Sequence, residues 1–181
     1  MRQLVIAAGV AVLFLTACDK APPKPPKPIA VIEQPAADKP AVSLSASGIG
    51  GVVFGMGLKE AERALNENAQ PLGPVNAECS TVRFASMPRV RFMVEKGIIT
   101  RADAERGVPN IIGVDIDSPV DQVRRKFPNV QVTPHKYLHN GHYLTIAGDG
   151  NTAFVLEDNS RRILKLRAGM QPSVSYVEGC L

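Results

Sequence analysis

The chain has 181 residues, of which 45% are apolar and 21% charged, and its formal net charge is +4. So small a basic surplus excludes the charged stripe that nucleic-acid binding requires. The apolar residues suffice for one core of ordinary domain size.

Arg2 is the one basic residue ahead of an apolar run from Leu4 to Leu15, and small residues then lead to Cys18. A basic start, a short apolar stretch and a small-residue cleavage site make a secretory signal peptide. The run is well short of the roughly 20 residues that a membrane-spanning helix needs. Leu15-Thr16-Ala17-Cys18 resembles the bacterial lipobox. The resemblance implies that residues 1–17 are a discarded leader and that Cys18 is the lipid-attachment site. There the thiol takes a diacylglycerol thioether and the new amine is acylated, palmitate being the typical chain. More than one acyl chain anchors a protein stably, where a single chain is marginal. The partner expected at this end is therefore a lipid bilayer, with the protein on the periplasmic side of the cell envelope. In enterobacterial lipoproteins an aspartate after the cysteine signals retention in the inner membrane, so Asp19 favours that membrane over the outer one.

Residues 18–47 read as a tether. Pro22-Pro23-Lys24-Pro25-Pro26-Lys27-Pro28 lies near its start, and proline fixes φ and removes backbone donors. Polyproline II, at about 3.1 Å per residue, is the conformation such a stretch favours. Residues 19–40 in that conformation would hold the domain off the membrane by at most roughly 70 Å.

The folded domain is expected over 48–181, as two tandem repeats of about 48–109 and 110–181. Gly51-Val52-Val53-Phe54 and Leu58-Lys59-Glu60-Ala61 lie sixty-two positions ahead of Gly113-Val114-Asp115-Ile116 and Val120-Asp121-Gln122-Val123. The same offset carries Leu65 onto Phe127, Val82 onto Leu144, Phe92 onto Phe154 and Glu95 onto Glu157. One unchanged offset across a helix and two strands points to duplication.

In each copy a helix precedes strands. Leu58, Ala61 and Leu65, then Val120, Val123 and Phe127, share a helical face. Ser118 is placed to cap the second helix, Pro119 suits its first turn and Pro128 ends it. Val82 with Phe84, Val90 with Phe92 and Val94, Leu144 with Ile146, and Phe154 with Leu156 alternate as strands do. Turns are expected at Glu95-Lys96-Gly97, at Asn140-Gly141 and around Asp158-Asn159-Ser160. Final strands are expected near Ile163–Arg167 and Ser173–Val177. The fold class is α+β: a mainly antiparallel sheet with helices on one face and the other face open to solvent. Gly55–Ala61 followed by strands resembles the small α+β repeat of β-lactamase-inhibitor-like proteins and of the outer-membrane assembly lipoproteins of the SmpA/OmlA group. This implies a fold and carries no binding residues. His135-Lys136-Tyr137, His142-Tyr143-Leu144 and the closing Tyr176–Cys180 resemble a family of bacterial lipoproteins, a likeness that brings no activity with it.

Cys79 and Cys180 are the cysteines left after the leader and anchor, and an oxidising compartment favours their pairing. The bond would close a loop of about 100 residues, contributing roughly 4–5 kcal/mol in the chain-entropy model. Two buried thiols are the alternative.

All three histidines, His135, His139 and His142, fall within eight residues. If Asn140-Gly141 makes a two-residue turn, His139 faces His142. His135 then lies about 13 Å up the strand, too far to share a zinc ion whose ligands sit roughly 2 Å from the metal. No metal or cofactor is expected. No serine lies in a Gly-x-Ser-x-Gly elbow and no phosphate-binding glycine loop occurs. The outward sheet face is the stronger candidate. It carries Arg83, Arg91, Met93, Tyr143, Lys165 and Arg167; arginine, methionine and tyrosine are enriched in protein interfaces, although an ordinary solvated face has the same alternation. The expectation is a non-enzymatic binding module for another envelope protein. The alternative is a small-ligand or hydrolytic site at the His135–His142 hairpin.

Overall fold

The computed structural model describes residues 42–180. The segment read as a signal peptide, Cys18, Asp19 and the Pro-rich segment lie outside the described residues. Among the described residues the chain is mostly β, with eleven strands and two α-helices. β1 (Leu44–Ser45), β2 (Gly48–Ile49) and β3 (Val52–Val53) form a small antiparallel sheet. Helix α1 (Leu58–Leu65) leads into β4 (Gln70–Pro71), β5 (Cys79–Arg83), β6 (Val90–Glu95) and β7 (Ile98–Ala104). Helix α2 (Val120–Lys126) leads into β8 (Gln131–Pro134), β9 (His142–Ala147), β10 (Thr152–Asp158) and β11 (Ile163–Met170). The latter eight strands build one antiparallel sheet in the order β4-β5-β6-β7-β11-β10-β9-β8.

Alternation selects the core. Val82, Phe84, Val90, Phe92 and Val94 from one half meet Leu144, Phe154, Leu156 and Leu166 from the other, all buried in one cluster. Phe84 and Phe92 stand edge to face with ring centroids 5.4 Å apart, a geometry the ring quadrupoles favour. Ala61 of α1 and Val120 and Val123 of α2 belong to the same cluster. Helix α1 stops where Asn66 turns left-handed at φ 53°, a conformation asparagine tolerates better than most residues. The turn at Lys96-Gly97 falls where expected: both residues have positive φ, 50° and 80°, and Glu95 pairs with Ile98. That is the twist a two-residue hairpin needs.

Several expectations are corrected. Residues 42–47, read as the end of the tether, belong to the folded unit. Leu44 is fully buried, and its backbone exchanges hydrogen bonds with Pro109 and Ile111. Ser118 does not cap α2. Its Oγ accepts a hydrogen bond from the Asp115 amide, and Pro119 occupies the cap position. The turn after β8 is not a two-residue Asn140-Gly141 hairpin, because Pro134 pairs with His142 and residues 135–141 form a longer loop. Gly141 is required there by close approach: a Cβ would lie 2.6 Å from the Asp158 carbonyl oxygen. Ser173–Val177 is not a strand. Ser173–Ser175 is a single 3-10 turn, and the tail beyond it crosses the outer sheet face instead of extending the sheet.

Candidate functional site

The face of the large sheet turned away from the core is built by register. Arg91 of β6 pairs with Asp103 of β7, which pairs with Arg167 of β11, which pairs with Val155 of β10. A neighbouring row runs Met93, Arg101, Gly169 and Ala153. Another runs Lys165, Glu157 and Tyr143. A β-bulge shapes the first half: Met93 lies opposite Arg101 but Val94 lies opposite Ile99, leaving Thr100 as the extra residue. A bulge breaks the two-residue alternation at that point. Ile99 and Ala102 therefore both enter the core, while Arg101 and Asp103 face outward.

The C-terminal tail lies across this face. Arg101 Nη1 donates to the carbonyl oxygens of Ser173 (3.3 Å) and Tyr176 (2.6 Å). Arg167 Nε donates to that of Val174 at 2.7 Å. Ser173 Oγ donates to Glu95 Oε2, which also accepts from Thr100 Oγ1 at 2.7 Å. Val174 is fully buried against Ala153, Val155 and Tyr143, a small apolar cluster separate from the main core. Cys180 is bonded to Cys79 of β5, with Cα atoms 5.4 Å apart and a sequence separation of 101. Lys136 and Tyr137 of the β8–β9 loop both hydrogen-bond Glu178. Those two partners, Lys136 first, hold the Glu178 carboxyl down to about 2, and the same contact raises Lys136 well above the usual lysine value.

Beneath the tail is a buried charge network. Glu157 is 1% exposed and receives Arg167 Nη1, Lys165 Nζ (3.1 Å) and His135 Nε2 (3.2 Å). Burial pushes its carboxyl up. The hydrogen bond and charge of Arg167, then the Lys165 and His135 hydrogen bonds, outweigh that push and leave it below the usual value. His135 Nδ1 accepts the amides of Tyr137 and Leu138, so its ring proton sits on Nε2, aimed at Glu157. The ring stacks on Tyr143 at 4.6 Å between centroids. Arg101 is satisfied by both oxygens of Asp103 and by the tail. Arg167 Nη2 is buried and has no hydrogen-bond partner among the described residues.

The six residues expected on the outward face all lie on it, but the face is not open. Arg167 and Met93 are 1% and 2% exposed. Tyr143 is half-buried against Val174. Arg83 is half-covered and paired with Glu105 at 3.0 Å. Arg91 is exposed with no ion-pair or hydrogen-bond partner among the described residues, and Lys165 reaches solvent beyond Glu157. Arg91, Lys165, Arg101, Asp103 and Glu178 border a cleft of about 280 Å³ between sheet and tail. The tail covers the rest because the carbonyls of Ser173, Val174 and Tyr176 are the acceptors that two buried guanidinium groups require.

The histidines do not converge. His135 is held by Glu157, His142 Nδ1 lies 3.1 Å from Asp158 Oδ1, and His139 is exposed in the loop. Among the described residues no group of three metal-ligating side chains comes together. No helix of the described residues is long and apolar enough to cross a membrane. Arg101 and Asp103, missed in the sequence reading, alternate with Ala102 and Ala104 after Lys96-Gly97, a strand signal present but not used. No protein-family model, no curated protein and no solved structure matches the chain.

Proposed function

We propose that the protein is a membrane-tethered lipoprotein of the cell envelope, acylated at Cys18, that binds another envelope protein through the rim of its outer sheet face. The observation that carries the binding reading is Arg91. It is an exposed cation without a partner among the described residues, at the mouth of a cleft that also holds Lys165 and Glu178. A mixed-charge cleft with an apolar floor at Met93 suits a polar protein segment. Export is supported by the Cys79–Cys180 disulfide, a bond typical of oxidising compartments.

Duplication is the reading that best accounts for the architecture. The two helices begin sixty-two positions apart, each is followed by four strands of the large sheet, and β7 and β11 meet at its centre. The contribution of both helices to one core cluster supports a sheet with its helices on a single face. This is the organisation implied by the likeness to β-lactamase-inhibitor-like repeats.

A photo-crosslinking residue at position 91, in protein expressed with its own leader, tests the binding reading. Crosslinks to a discrete envelope protein are expected, and they should disappear in the Lys165→Glu variant but persist in Lys59→Glu on α1. Crosslinks absent at position 91, or equally strong from position 59, reject it. Radiolabelled palmitate incorporation that survives Cys18→Ser rejects the anchor. A hydrolytic reading has only the His142–Asp158 pair behind it, since no serine or cysteine hydrogen-bonds His142 among the described residues.

A further inference from the structure

We infer that Gln171–Cys180 is a redox-latched strap, and that the face beneath it is a docking surface for an extended peptide segment of a partner. The inference extends the binding reading from the rim of the face to its covered centre.

The strap touches the face as a bound peptide would. It offers backbone carbonyls to Arg101 and Arg167, a hydroxyl to Glu95 and one β-branched side chain, Val174, to the patch of Ala153, Val155 and Tyr143. Main-chain acceptors on fixed donors, with a pocket for one side chain, are how an extended peptide is recognised on a sheet. The strap therefore displays the chemistry of the ligand this face accepts. The strap also fits incompletely. Arg167 Nη2 is buried without an acceptor among the described residues, and a buried unsatisfied donor costs free energy that a better-matched segment would recover.

The strap is joined to β5 by one covalent bond close to its end, Cys79–Cys180. Both cysteines are half-buried and border a cleft of about 220 Å³ lined by Leu72, Gly73, Pro74 and Asn76. The cleft gives a thiol reagent a route to the bond from the surface. The co-reactant is a dithiol oxidoreductase. One of its thiolates attacks a sulfur of the pair, the Cys79–Cys180 bond breaks and a mixed disulfide forms. Its second thiolate then displaces the remaining cysteine thiolate, so the reagent leaves as a disulfide and two electrons and two protons remain on Cys79 and Cys180. What then holds the strap is non-covalent: the Lys136 and Tyr137 contacts with Glu178 at its outer end, the hydrogen bonds of Arg101, Arg167 and Glu95 along it, and the Val174 patch at its root.

Hydrogen exchange read by mass spectrometry on the full chain tests the latch, comparing oxidised protein, dithiothreitol-reduced protein and Cys180→Ser. Exchange at Ser175 and Tyr176, whose amides close the 3-10 turn, is expected to rise about tenfold or more, while β6, β7, β10 and β11 stay protected. Unchanged strap exchange overturns the inference, and so does loss of protection throughout the sheet, which would make the bond purely structural. Docking is tested with the Val174→Asp/Cys180→Ser variant, whose own strap cannot refill the patch, and a synthetic peptide of residues 171–179 as probe. Saturable binding, weakened at least about tenfold by aspartate at the peptide's valine, is expected to be absent in oxidised wild type. Absence of binding to a variant with a protected sheet overturns the docking surface. Rim crosslinks from position 91 are read separately, so either reading can fail without the other.

Discussion

Arg167 and Glu157 meet on adjacent strands with side chains only 1% and 2% exposed, and the same arginine holds the Val174 carbonyl of the tail. One guanidinium thus neutralises a buried carboxylate and fastens the cover over it. Removing one partner of such a pair leaves an uncompensated buried charge, which costs about 3–5 kcal/mol. Arg167→Met is expected to lose that much stability in urea unfolding. Glu157→Gln/Arg167→Met should recover most of the loss, because the carboxylate charge is gone as well. A double variant no more stable than the single one would show that the tail contact, and not the ion pair, is the larger part.

The same carboxylate sets an acid limit. Its folded-state value lies below the ordinary 4.5 because Arg167, Lys165 and His135 together outweigh burial. A group depressed in the folded state contributes stability that is present above its unfolded value and is lost as pH falls through its folded one. Wild type should therefore lose stability progressively below about pH 4.5, and Glu157→Gln should lose less over the same range. Melting temperatures at pH 7, 5, 4 and 3 for both proteins read the difference. Parallel curves would remove Glu157 from the acid transition.

His135 was singled out in the sequence with His139 and His142 as a metal question, and the structure gives it another role. Its Nδ1 takes the amides of Tyr137 and Leu138, and its Nε2 completes the Glu157 shell. His135→Ala takes the acceptor from two amides and leaves Glu157 Oε2 with Lys165 alone, expected to cost about 1–3 kcal/mol. Added zinc should not change the stability of wild type. His139→Ala, an exposed loop residue, should stay within about 0.5 kcal/mol of wild type. Chemical denaturation of the three proteins, with and without zinc, checks all of this.

How far the sequence could be read depended on periodicity. Val82, Phe92, Leu144 and Phe154 alternate cleanly, and all four are buried in one core. The Cys79–Cys180 disulfide, expected from the pair of cysteines and the leader read at the N-terminus, is present. The tail's path was hidden, because Ser173–Val177 alternates small and apolar residues just as a strand does. The partners that settle it, Arg101 and Arg167, are about seventy and seven positions away. The bulge at Thr100 was hidden for a related reason: it puts Ile99 and Ala102 on one face, a spacing that strict alternation cannot describe. Alternation places Arg91, Met93, Tyr143 and Arg167 away from the core, but the tail covers much of that face, and nothing in local sequence says which segment will return to do so.

Glu178 provides an exposed counterpart to Glu157. Lys136 and Tyr137 hold its carboxyl at about 2, and the group lies at the surface. Ion pairs in contact with solvent are screened by salt. An NMR titration of the glutamate side chains should find Glu178 among the lowest, moving toward the ordinary value as sodium chloride rises to 1 M. Lys136→Ala should produce the same upward movement at low salt. A salt-insensitive Glu178 would mean that the Tyr137 hydroxyl alone holds the carboxylate.

The seam between the sheet halves rests on a glycine. Gly169 of β11 lies opposite Arg101 of β7, and an added Cβ would sit 2.8 Å from the Arg101 Cα and 3.1 Å from its Cβ. Neither neighbour can yield as the end of a flexible side chain would, so the strands must separate. A glycine inside a strand commonly marks such close backbone approach. Gly169→Ala is therefore expected to cost about 1–3 kcal/mol by overpacking. Gly97→Ala is the control: its φ is 80° and nothing lies within 4 Å, so its cost comes from backbone conformation alone, about 1–2 kcal/mol. The two energies overlap, and tail exchange separates them. Displacing β7 from β11 moves Arg101, which holds the Ser173 and Tyr176 carbonyls, so Gly169→Ala should accelerate exchange at Ser175 and Tyr176. Gly97→Ala, in the β6–β7 turn, should leave it unchanged. Equal acceleration in both variants would mean that the tail responds to overall stability and not to the position of Arg101.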